Sequence, residues 1–345
     1  MNNNEDKKEW SMRKMVSLTL FVVFSVVTLI LIAEEITSPK AKVTVKVTGD
    51  DGIPISDADV NIGFRHIRGK GLGEGWGNVV NYHPSKGRTD MIGIFSASDE
   101  TTPNVVVTVS KSGYYESSGG VPFNVKGEVA NDLLIILLKK NLNPVPMFVK
   151  KTEAIKIPAL KKDVGYDLET GDWVAPYGKG KVADFIFNMN AVYESWKNRQ
   201  CNCVIKFSNE KDGIRKYLFD EKDQSSYKWP YEAPEDGYST LLEKFEKMTN
   251  GKYESNIAVD DYEVNYKANY IFRIRTRIDE KGNILEAKYG KISGDISVDA
   301  TGTVRFIYYF NPSGNRSLEF DTKRNLFVEG VPGAEDDPHY GEFSP

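Results

Sequence analysis

One stretch near the amino terminus constrains this chain more than any other feature of its sequence. The nineteen residues of Met15–Ala33 include no charged residue, no glycine and no proline. An α-helix rises about 1.5 Å per residue, so a helix of this length covers nearly all of the ~30 Å hydrocarbon core of a bilayer. The sequence therefore predicts a transmembrane helix at residues 15–33, with the lipid bilayer as its partner.

The charges that flank this run predict its orientation. Four basic residues precede it and two acidic residues follow it: Lys7, Lys8, Arg13, Lys14, Glu34 and Glu35. An excess of lysine and arginine marks the cytoplasmic side, so residues 1–14 are expected in the cytoplasm and the bulk of the chain outside it. A cleaved signal peptide is the alternative, but its apolar core is usually shorter and small residues mark its cleavage site. Because Leu31 stands two residues before Ala33, an uncleaved signal anchor and a single-pass protein of the cell membrane are favoured.

Composition excludes some classes of function. The chain has 45 lysine and arginine residues against 49 aspartate and glutamate residues. A chain so close to neutral lacks the basic field that nucleic-acid binding requires, so no nucleic-acid partner is expected. With two cysteines and three histidines in 345 residues, the sequence predicts neither a metal site nor a bound cofactor.

The two cysteines lie close together in the sequence. Cys201 and Cys203 are two residues apart, so on a strand both side chains point to the same face. That spacing is too short for an unstrained disulfide in most backbones. Packing in a core is the favoured interpretation, and a free thiol pair or a strained local bridge are the alternatives.

The first block after the apolar run, residues 41–140, has the pattern of short β-strands. Valines alternate with polar residues at Val43, Val45 and Val47, and a Gly-Asp-Asp-Gly turn follows at 49–52. Five further apolar runs are separated by turn residues: Ala58–Ile62, Ile94–Ala97, Val105–Val109, Val121–Val125 and Leu133–Leu138. Strands at this spacing predict a Greek-key β-sandwich.

Three motifs in this block resemble one known family. A strand leads through the Gly-Ile-Pro-Ile turn at 52–55 into Ala58–Val60, a Thr-Asp-x-x-Gly-x-Phe hairpin occupies Thr89–Phe95, and Val107–Tyr115 is a strand that ends in Gly-Tyr. In this order they resemble a carboxypeptidase regulatory-like, or transthyretin-like, domain over residues 41–140. The resemblance implies a prealbumin-like β-sandwich that serves as an accessory module without catalytic residues. The segment Phe64–Arg88 departs from the family because it is long and rich in glycine, and we expect it to be a flexible surface loop. An anion or partner site there is the alternative.

A second domain is predicted beyond the Pro-containing linker at 141–146, over residues 147–345. Alternating runs at Ile271–Ile278, Ile284–Tyr289 and Val304–Phe310 predict an antiparallel meander. Thr240 and Glu243 have the spacing of a capping box, and Leu241, Leu242, Phe245 and Met248 follow helical spacing before Gly251. The second domain is therefore expected to be rich in β-structure, with at least one docked helix, and it resembles no known family.

Aromatic residues in loops are the strongest candidates for ligand contact. Six of them stand among prolines and glycines: Trp173, Tyr177, Tyr227, Trp229, Tyr231 and Tyr238. Exposed tryptophan and tyrosine rings offer flat apolar faces to sugar rings or to a protein partner. Inward packing of these rings, which closes the end of the β-structure, is the favoured interpretation, and ligand contact is the alternative.

No catalytic motif accompanies these aromatics. A nucleophile elbow and a zinc helix are both absent from the sequence. Two groups of carboxylates are present, at 163–172 (Asp163, Asp167, Glu169 and Asp172) and at 260–263 (Asp260, Asp261 and Glu263). An acidic surface is the favoured interpretation of both groups, although a pair of them could serve a glycosidase. The mainly β chain is thus expected to be a membrane-anchored, extracytoplasmic binding or scaffolding module of the cell envelope, with a glycan or an envelope protein as partner. An extracytoplasmic enzyme acting on polysaccharide is the alternative.

Overall fold

A computed structural model describes residues 40–70, 78–101, 105–121, 133–220, 222–258, 268–328 and 343–345. These residues form a mainly β structure, and no helix occurs among them. In the described ranges there is likewise no apolar helix of membrane-spanning length. The predicted span at 15–33 lies outside the described residues.

The chain divides into two compact units. The first contains the described residues up to Lys111 together with Ser117–Leu138, and the second contains Ser112–Glu116 together with Lys139–Pro345. A five-residue piece between two strands of the first unit thus belongs to the second. The second unit is therefore discontinuous in sequence.

The first unit is built from two sheets in which most strand pairs are antiparallel. Its described residues form seven strands: β1 (Lys40–Gly49), β2 (Asp59–Lys70), β3 (Asn78–Arg88), β4 (Ile94–Glu100), β5 (Val105–Ser110), β6 (Ser117–Val121) and β7 (Leu133–Leu138). A three-stranded sheet has the order β4-β1-β7, and a four-stranded sheet has the order β3-β2-β5-β6. The one parallel pair among these strands is β1 with β7.

The alternation of valines explains the core of the first unit. Val43, Val45 and Val47 on β1 are all buried, as are Val105, Val107 and Val109 on β5, whereas the residues between them are partly or fully exposed. Successive side chains of a strand point to opposite faces, so each strand buries one face. The predicted β-sandwich character of this block is confirmed.

The glycine-rich segment Phe64–Arg88 is mostly paired strand rather than the expected loop. The backbone of β2 pairs with that of β3 from Asp59↔Arg88 to Lys70↔Asn78. Strands pair through hydrogen bonds between backbone N–H and C=O groups, which glycines and polar residues also carry. These residues therefore do not prevent a long hairpin. Residues 71–77, which hold the last alternating glycines, lie outside the described residues.

The described residues of the second unit form thirteen strands. They are β8 (Val145–Lys151), β9 (Ile155–Lys156), β10 (Asp163–Asp167), β11 (Asp172–Trp173), β12 (Phe185–Ser195), β13 (Asn198–Lys206), β14 (Gly213–Tyr217), β15 (Leu241–Thr249), β16 (Lys252–Ser255), β17 (Asn269–Ile278), β18 (Ile284–Val298), β19 (Thr303–Asn311) and β20 (Phe320–Asn325). One sheet has the order β11-β10-β12-β13-β15-β16. The other has the order β14-β17-β18-β19-β8-β20, with β9 beside β19. The predicted meander is confirmed as β17-β18-β19.

The main core of the second unit lies between these two sheets. Phe185, Phe187 and Met189 on β12 meet residues such as Phe272 and Phe306 from the other sheet. The seven-stranded sheet also buries its opposite face, where Ile271 and Tyr289 pack under the chain that connects β14 to β15. This sheet is therefore covered on both sides.

The predicted helix after Thr240 is wrong, because this segment is β15. Leu242 and Met248 point to the core side of the strand, and Phe245 points to the opposite side. The apolar residues with helical spacing are therefore divided between the two faces of a strand. The alternation was hidden because charged residues occupy the intervening core-side positions. Lys244 is buried with its Nζ 2.5 Å from Asp295 and 2.7 Å from the hydroxyl of Tyr270.

Candidate functional site

The loop aromatics at Tyr227 and Trp229 are buried, at 0% and 5% exposure. They belong to the chain between β14 and β15, which covers the outer face of the seven-stranded sheet. Tyr227 stacks on Tyr115 with ring centroids 4.6 Å apart, and Trp229 stacks on Tyr217 at 5.6 Å. Their faces are therefore occupied by protein, and these two rings offer no exposed stacking surface in this structure. They pack inward, as the favoured interpretation required.

Tyr231 and Tyr238 lie at the rim of the same cluster and are partly buried. The Tyr231 hydroxyl donates to the carbonyl of Lys140 at 2.9 Å, and the Tyr238 hydroxyl donates to that of Pro234 at 2.8 Å. The guanidinium of Arg273 lies 4.5 Å from the centre of the Tyr238 ring. Both tyrosines thus hold the covering chain in place.

Trp173 and Tyr177 do not belong to that cluster. Trp173 is 8% exposed and packs edge-on against Tyr166 and Phe187 in the main core. Tyr177, by contrast, is 42% exposed. The six candidate aromatics therefore do not form one surface, because four cover the outer face of one sheet and Trp173 lies between the two sheets.

A lysine that sequence analysis did not select lies at the centre of the aromatic cluster. Lys291 is 0% exposed, and its Nζ lies 5.3, 5.2 and 4.8 Å from the ring centroids of Tyr227, Trp229 and Tyr309. This amine has no hydrogen-bond partner among the described residues. Burial lowers the pKa of Lys291 well below its usual value, while the charge of Glu319 acts in the opposite direction.

The carboxylate of Glu319 is satisfied by other groups. It accepts hydrogen bonds from the Tyr115 hydroxyl at 3.0 Å and from the backbone N–H groups of Leu142 and Asn143 at 2.9 and 2.7 Å. Burial, followed by the charge of Glu319, raises the pKa of Tyr115. Buried acceptors that receive several hydrogen bonds fix the chain around them, so this group is a structural anchor of the second unit.

Two of the four carboxylates at 163–172 meet on Arg275 instead of forming an acidic surface. The Nη1 of Arg275 donates to Glu169 at 2.5 Å, and its Nη2 donates to Asp167 at 3.2 Å. The carboxylate of Asp184 accepts two hydrogen bonds from the same guanidinium, from Nε at 2.8 Å and from Nη2 at 3.0 Å. Asp167 and Asp184 are buried. Arg275 has a φ of 54° within β17, at an irregularity in the pairing with β18. The bulge turns its side chain toward these acids.

The electrostatics of this group are those of an ion-pair network. Burial raises the pKa of Asp167, but backbone N–H groups of Lys181, Thr170 and Val182 outweigh burial and hold that pKa below its usual value. Burial raises the pKa of Asp184 despite the opposing hydrogen bond and charge of Arg275.

The other predicted acids have separate positions. Asp163 is exposed and lies 3.2 Å from Lys206, whereas Asp172 accepts N–H groups of its own turn. Asp260, Asp261 and Glu263 lie outside the described residues.

The cysteines are unpaired core residues. Cys201 and Cys203 are free and buried, and both belong to the main core on β13. Burial raises the pKa of both thiols to about 12. At neutral pH they are therefore protonated and poor nucleophiles.

Three exposed aromatics of the second unit lie at the ends of two hairpins. Tyr193, Trp196 and Tyr253 are 54%, 63% and 44% exposed, and we call them the hairpin-end surface. Trp196 lies in the two-residue turn between β12 and β13, while Tyr253 is the second residue of β16, the return strand after the β15 turn. Pairing places Tyr193, Arg199, Met248 and Tyr253 in one row across four strands. Sequence analysis missed this group, although a tryptophan in a two-residue turn has no strand to cover it.

An open groove of about 200 Å³ lies beside this surface. Both hairpins contribute to its lining: Val192, Glu194, Asn198, Arg199, Gln200, Lys247, Met248 and Thr249. The guanidinium of Arg199 lies 3.8 Å from Glu246, which partly neutralises its charge. The groove thus combines two apolar residues, amides and charges of both signs.

Comparison with known proteins finds no family and only distant structural similarity. No family profile matches the chain, and no curated protein matches it in sequence. Among solved structures, a 3-chlorocatechol 1,2-dioxygenase from Rhodococcus opacus aligns with 11% identity and a TM-score of 0.23, covering 31% of this chain and 62% of the dioxygenase. The major pilin subunit of Bacillus cereus aligns with 10% identity and a TM-score of 0.18, covering 80% of this chain and 83% of the pilin. The described residues form a mainly β, sandwich-like protein.

Proposed function

We propose that this protein is a membrane-anchored, extracytoplasmic binding or scaffolding module of the cell envelope. The apolar run at 15–33 with its basic amino-terminal flank supports the anchor. The motifs of the first unit support an accessory domain similar to the carboxypeptidase regulatory-like family. The second unit then holds the binding surface outside the cytoplasm.

The observation that carries this proposal is the hairpin-end surface. Trp196 exposes 63% of its surface and Tyr193 exposes 54%, although large aromatic side chains are costly to leave in water. Tyrosine, tryptophan, methionine and arginine are the residues enriched where proteins bind partners. The row of Tyr193, Arg199, Met248 and Tyr253 with Trp196 beside it has this composition.

The enzyme alternative receives less support from the described residues. A glycosidase needs two carboxyl groups that can exchange protons or attack the sugar. Asp167 and Asp184 are buried on Arg275, so their oxygens are engaged by the protein. We therefore favour binding over catalysis.

Replacing Trp196 tests the proposed function. With full-length protein in detergent micelles, Trp196→Ala should reduce binding to cell-envelope material about tenfold, since a central aromatic contact often contributes more than 1 kcal/mol. The measurement is co-sedimentation with insoluble envelope fractions, followed by chemical cross-linking to detect protein partners.

The matched control is Tyr177→Ala, which removes another exposed ring far from the hairpin ends. This control should bind like the parent protein, and both variants should keep the parent melting temperature. Equal binding by parent, Trp196→Ala and Tyr177→Ala would show that the hairpin-end surface is not a binding site.

A further inference from the structure

The outward face of the six-stranded sheet carries a group of side-chain amides next to the hairpin ends. Asn190 on β12 stands opposite Asn202 on β13, and Val192 stands opposite Gln200 in the next row. Met189 and Cys203 point into the core, and residues directly opposite or two apart share a face. Asn190, Gln200 and Asn202 therefore project outward, where all three are exposed. We call these three residues the amide face.

The amides of this face have unused hydrogen-bonding capacity. Asn190, Gln200 and Asn202 make no side-chain hydrogen bond to any other described residue. The neighbouring Asn188 differs, because its amide donates to Asp163 at 2.5 Å. Each free amide offers two N–H donors and a carbonyl acceptor. Rows along a strand are about 6.7 Å apart and neighbouring strands about 4.8 Å apart, so these groups form a flat array.

Apolar surface borders the amide face on two sides. Phe245 on β15 stands directly beside Asn202 and is partly exposed on the same face. At the other end, the groove lined by Val192 and Gln200 leads toward the hairpin end, where Trp196 is exposed. A flat group of exposed amides with the ring of Phe245 beside it matches a ligand that has polar edges and apolar faces.

The charges around the amide face balance. Lys247 stands opposite Glu254 across β15 and β16, and Glu254 also lies 3.2 Å from Lys252. Glu194 adds a negative charge at the groove, where Lys247 supplies a positive one. No sign dominates, so the face has no field that would select an anionic or a cationic ligand.

We propose that the amide face binds a segment of an uncharged polysaccharide. Sugar hydroxyls both donate and accept hydrogen bonds, as the amides of Asn190, Gln200 and Asn202 do, and the faces of the sugar rings stack on Phe245 and Trp196. This inference rests on the proposed function and specifies its ligand. Carboxylates are not needed, because recognition comes from neutral hydrogen bonds and ring contacts.

The test uses full-length protein in detergent micelles and four soluble probes. Dextran, mannan and starch represent uncharged polysaccharides, and alginate represents an anionic one. Affinity electrophoresis should show retardation by at least one uncharged probe and none by alginate. The double variant Asn190→Ala with Asn202→Ala should weaken that retardation about tenfold, as expected for the loss of two hydrogen bonds.

Glu243→Gln is the matched control, since it changes an exposed residue of the same sheet face without touching the amides. It should bind like the parent. The double variant should keep its melting temperature, because the two amides make no bond within the described protein. Loss of binding at an unchanged melting temperature supports the inference.

Two results would overturn the inference while leaving the proposed function intact. One is parent-like binding of the uncharged probe by the double asparagine variant while Trp196→Ala weakens it. The other is retardation by alginate alone, or by no glycan, while Trp196→Ala still abolishes a protein cross-link. Failure of Trp196→Ala to change any binding would instead remove the proposed function itself.

Discussion

At the scale of single residues, the most unusual group in this protein is the amine of Lys291. It is fully buried among Tyr227, Trp229 and Tyr309, and no hydrogen bond satisfies it within the described structure. The rings attract a cation, but they cannot replace the hydrogen bonds that an ammonium makes in water. Lys291 thus lowers the stability of the second unit.

We expect Lys291→Met to stabilise the protein. Methionine has a similar length and no polar group to desolvate, so the free energy of unfolding should rise by about 1–3 kcal/mol at pH 7. Urea unfolding of the full-length protein measures the change. Lys281→Met is the control, because Lys281 is exposed in a turn and should shift stability little.

The gain in the free energy of unfolding from Lys291→Met should decrease as the pH rises. Burial lowers the pKa of Lys291 in the folded state, whereas an unfolded lysine titrates near 10.4. Between these two values the unfolded chain binds more protons, so parent stability rises with pH by about 1.4 kcal/mol per unit. The advantage of the variant therefore shrinks as pH increases toward 10. A constant difference from pH 7 to pH 10 would contradict a lowered pKa.

At the scale of elements, the β15–β16 hairpin illustrates how turns fix the fold. Thr249 pairs with Lys252, and the two residues between them, Asn250 and Gly251, have φ of 50° and 84°. Two positive φ angles in a two-residue loop define the turn that matches the twist of a hairpin. This Asn-Gly turn places Tyr253 beside Met248 at the hairpin-end surface.

Gly251→Ala should destabilise this hairpin through its backbone alone. A Cβ at Gly251 would meet no atom within 4 Å, so crowding does not contribute, and the left-handed conformation costs a residue with a side chain about 1–2 kcal/mol. Urea unfolding should show this loss. Gly120→Ala is the control, since Gly120 has a φ outside the left-handed region and its Cβ would meet its first neighbour at 3.9 Å. Equal changes for the two variants would contradict the argument.

Some elements could be predicted from the sequence and others could not. The β1 strand was predictable because it alternates apolar and polar residues against a single core. The β17–β19 strands were predictable because turn residues separate their apolar runs, although their sheet is buried on both faces. β15 was not, because Lys244 and Glu246 occupy core-side positions and find their partners far away, at Asp295 and at the N–H of Ala300. The Asn-Gly pair at its end was the signal for a hairpin, and it outweighs helical spacing.

The candidate site was predicted less well than the fold. Segments that carry loop aromatics such as Trp229 contain prolines and glycines whether the ring faces water or packs on a sheet. The exposure of the ring therefore depends on a tertiary contact that the local sequence does not reveal. Trp196 could have been identified once β12 and β13 were recognised as a hairpin. The amide face depends on cross-strand register, which only the paired strands Asn190↔Asn202 and Val192↔Gln200 define.

At the scale of the whole molecule, the proposed membrane topology makes a direct prediction. Alkaline phosphatase fused after Pro345 should be active in cells, because this reporter folds only outside the cytoplasm and the basic residues before Met15 keep the amino terminus inside. Deletion of residues 15–33 should abolish its activity. An inactive fusion to the intact chain, detected at normal abundance by immunoblot, would contradict an extracytoplasmic second unit.

The discontinuity of the second unit has a consequence for how this protein can be divided. Tyr115, within Ser112–Glu116, stacks on Tyr227 and donates to Glu319. A fragment that begins after Leu138 lacks this tyrosine, which leaves one face of an aromatic ring bare and a buried carboxylate short of one donor. During synthesis, the same five residues emerge before any of the strands they will join. A single cut in the chain, whether by recombination or by proteolysis, therefore cannot separate the complete second unit from the first.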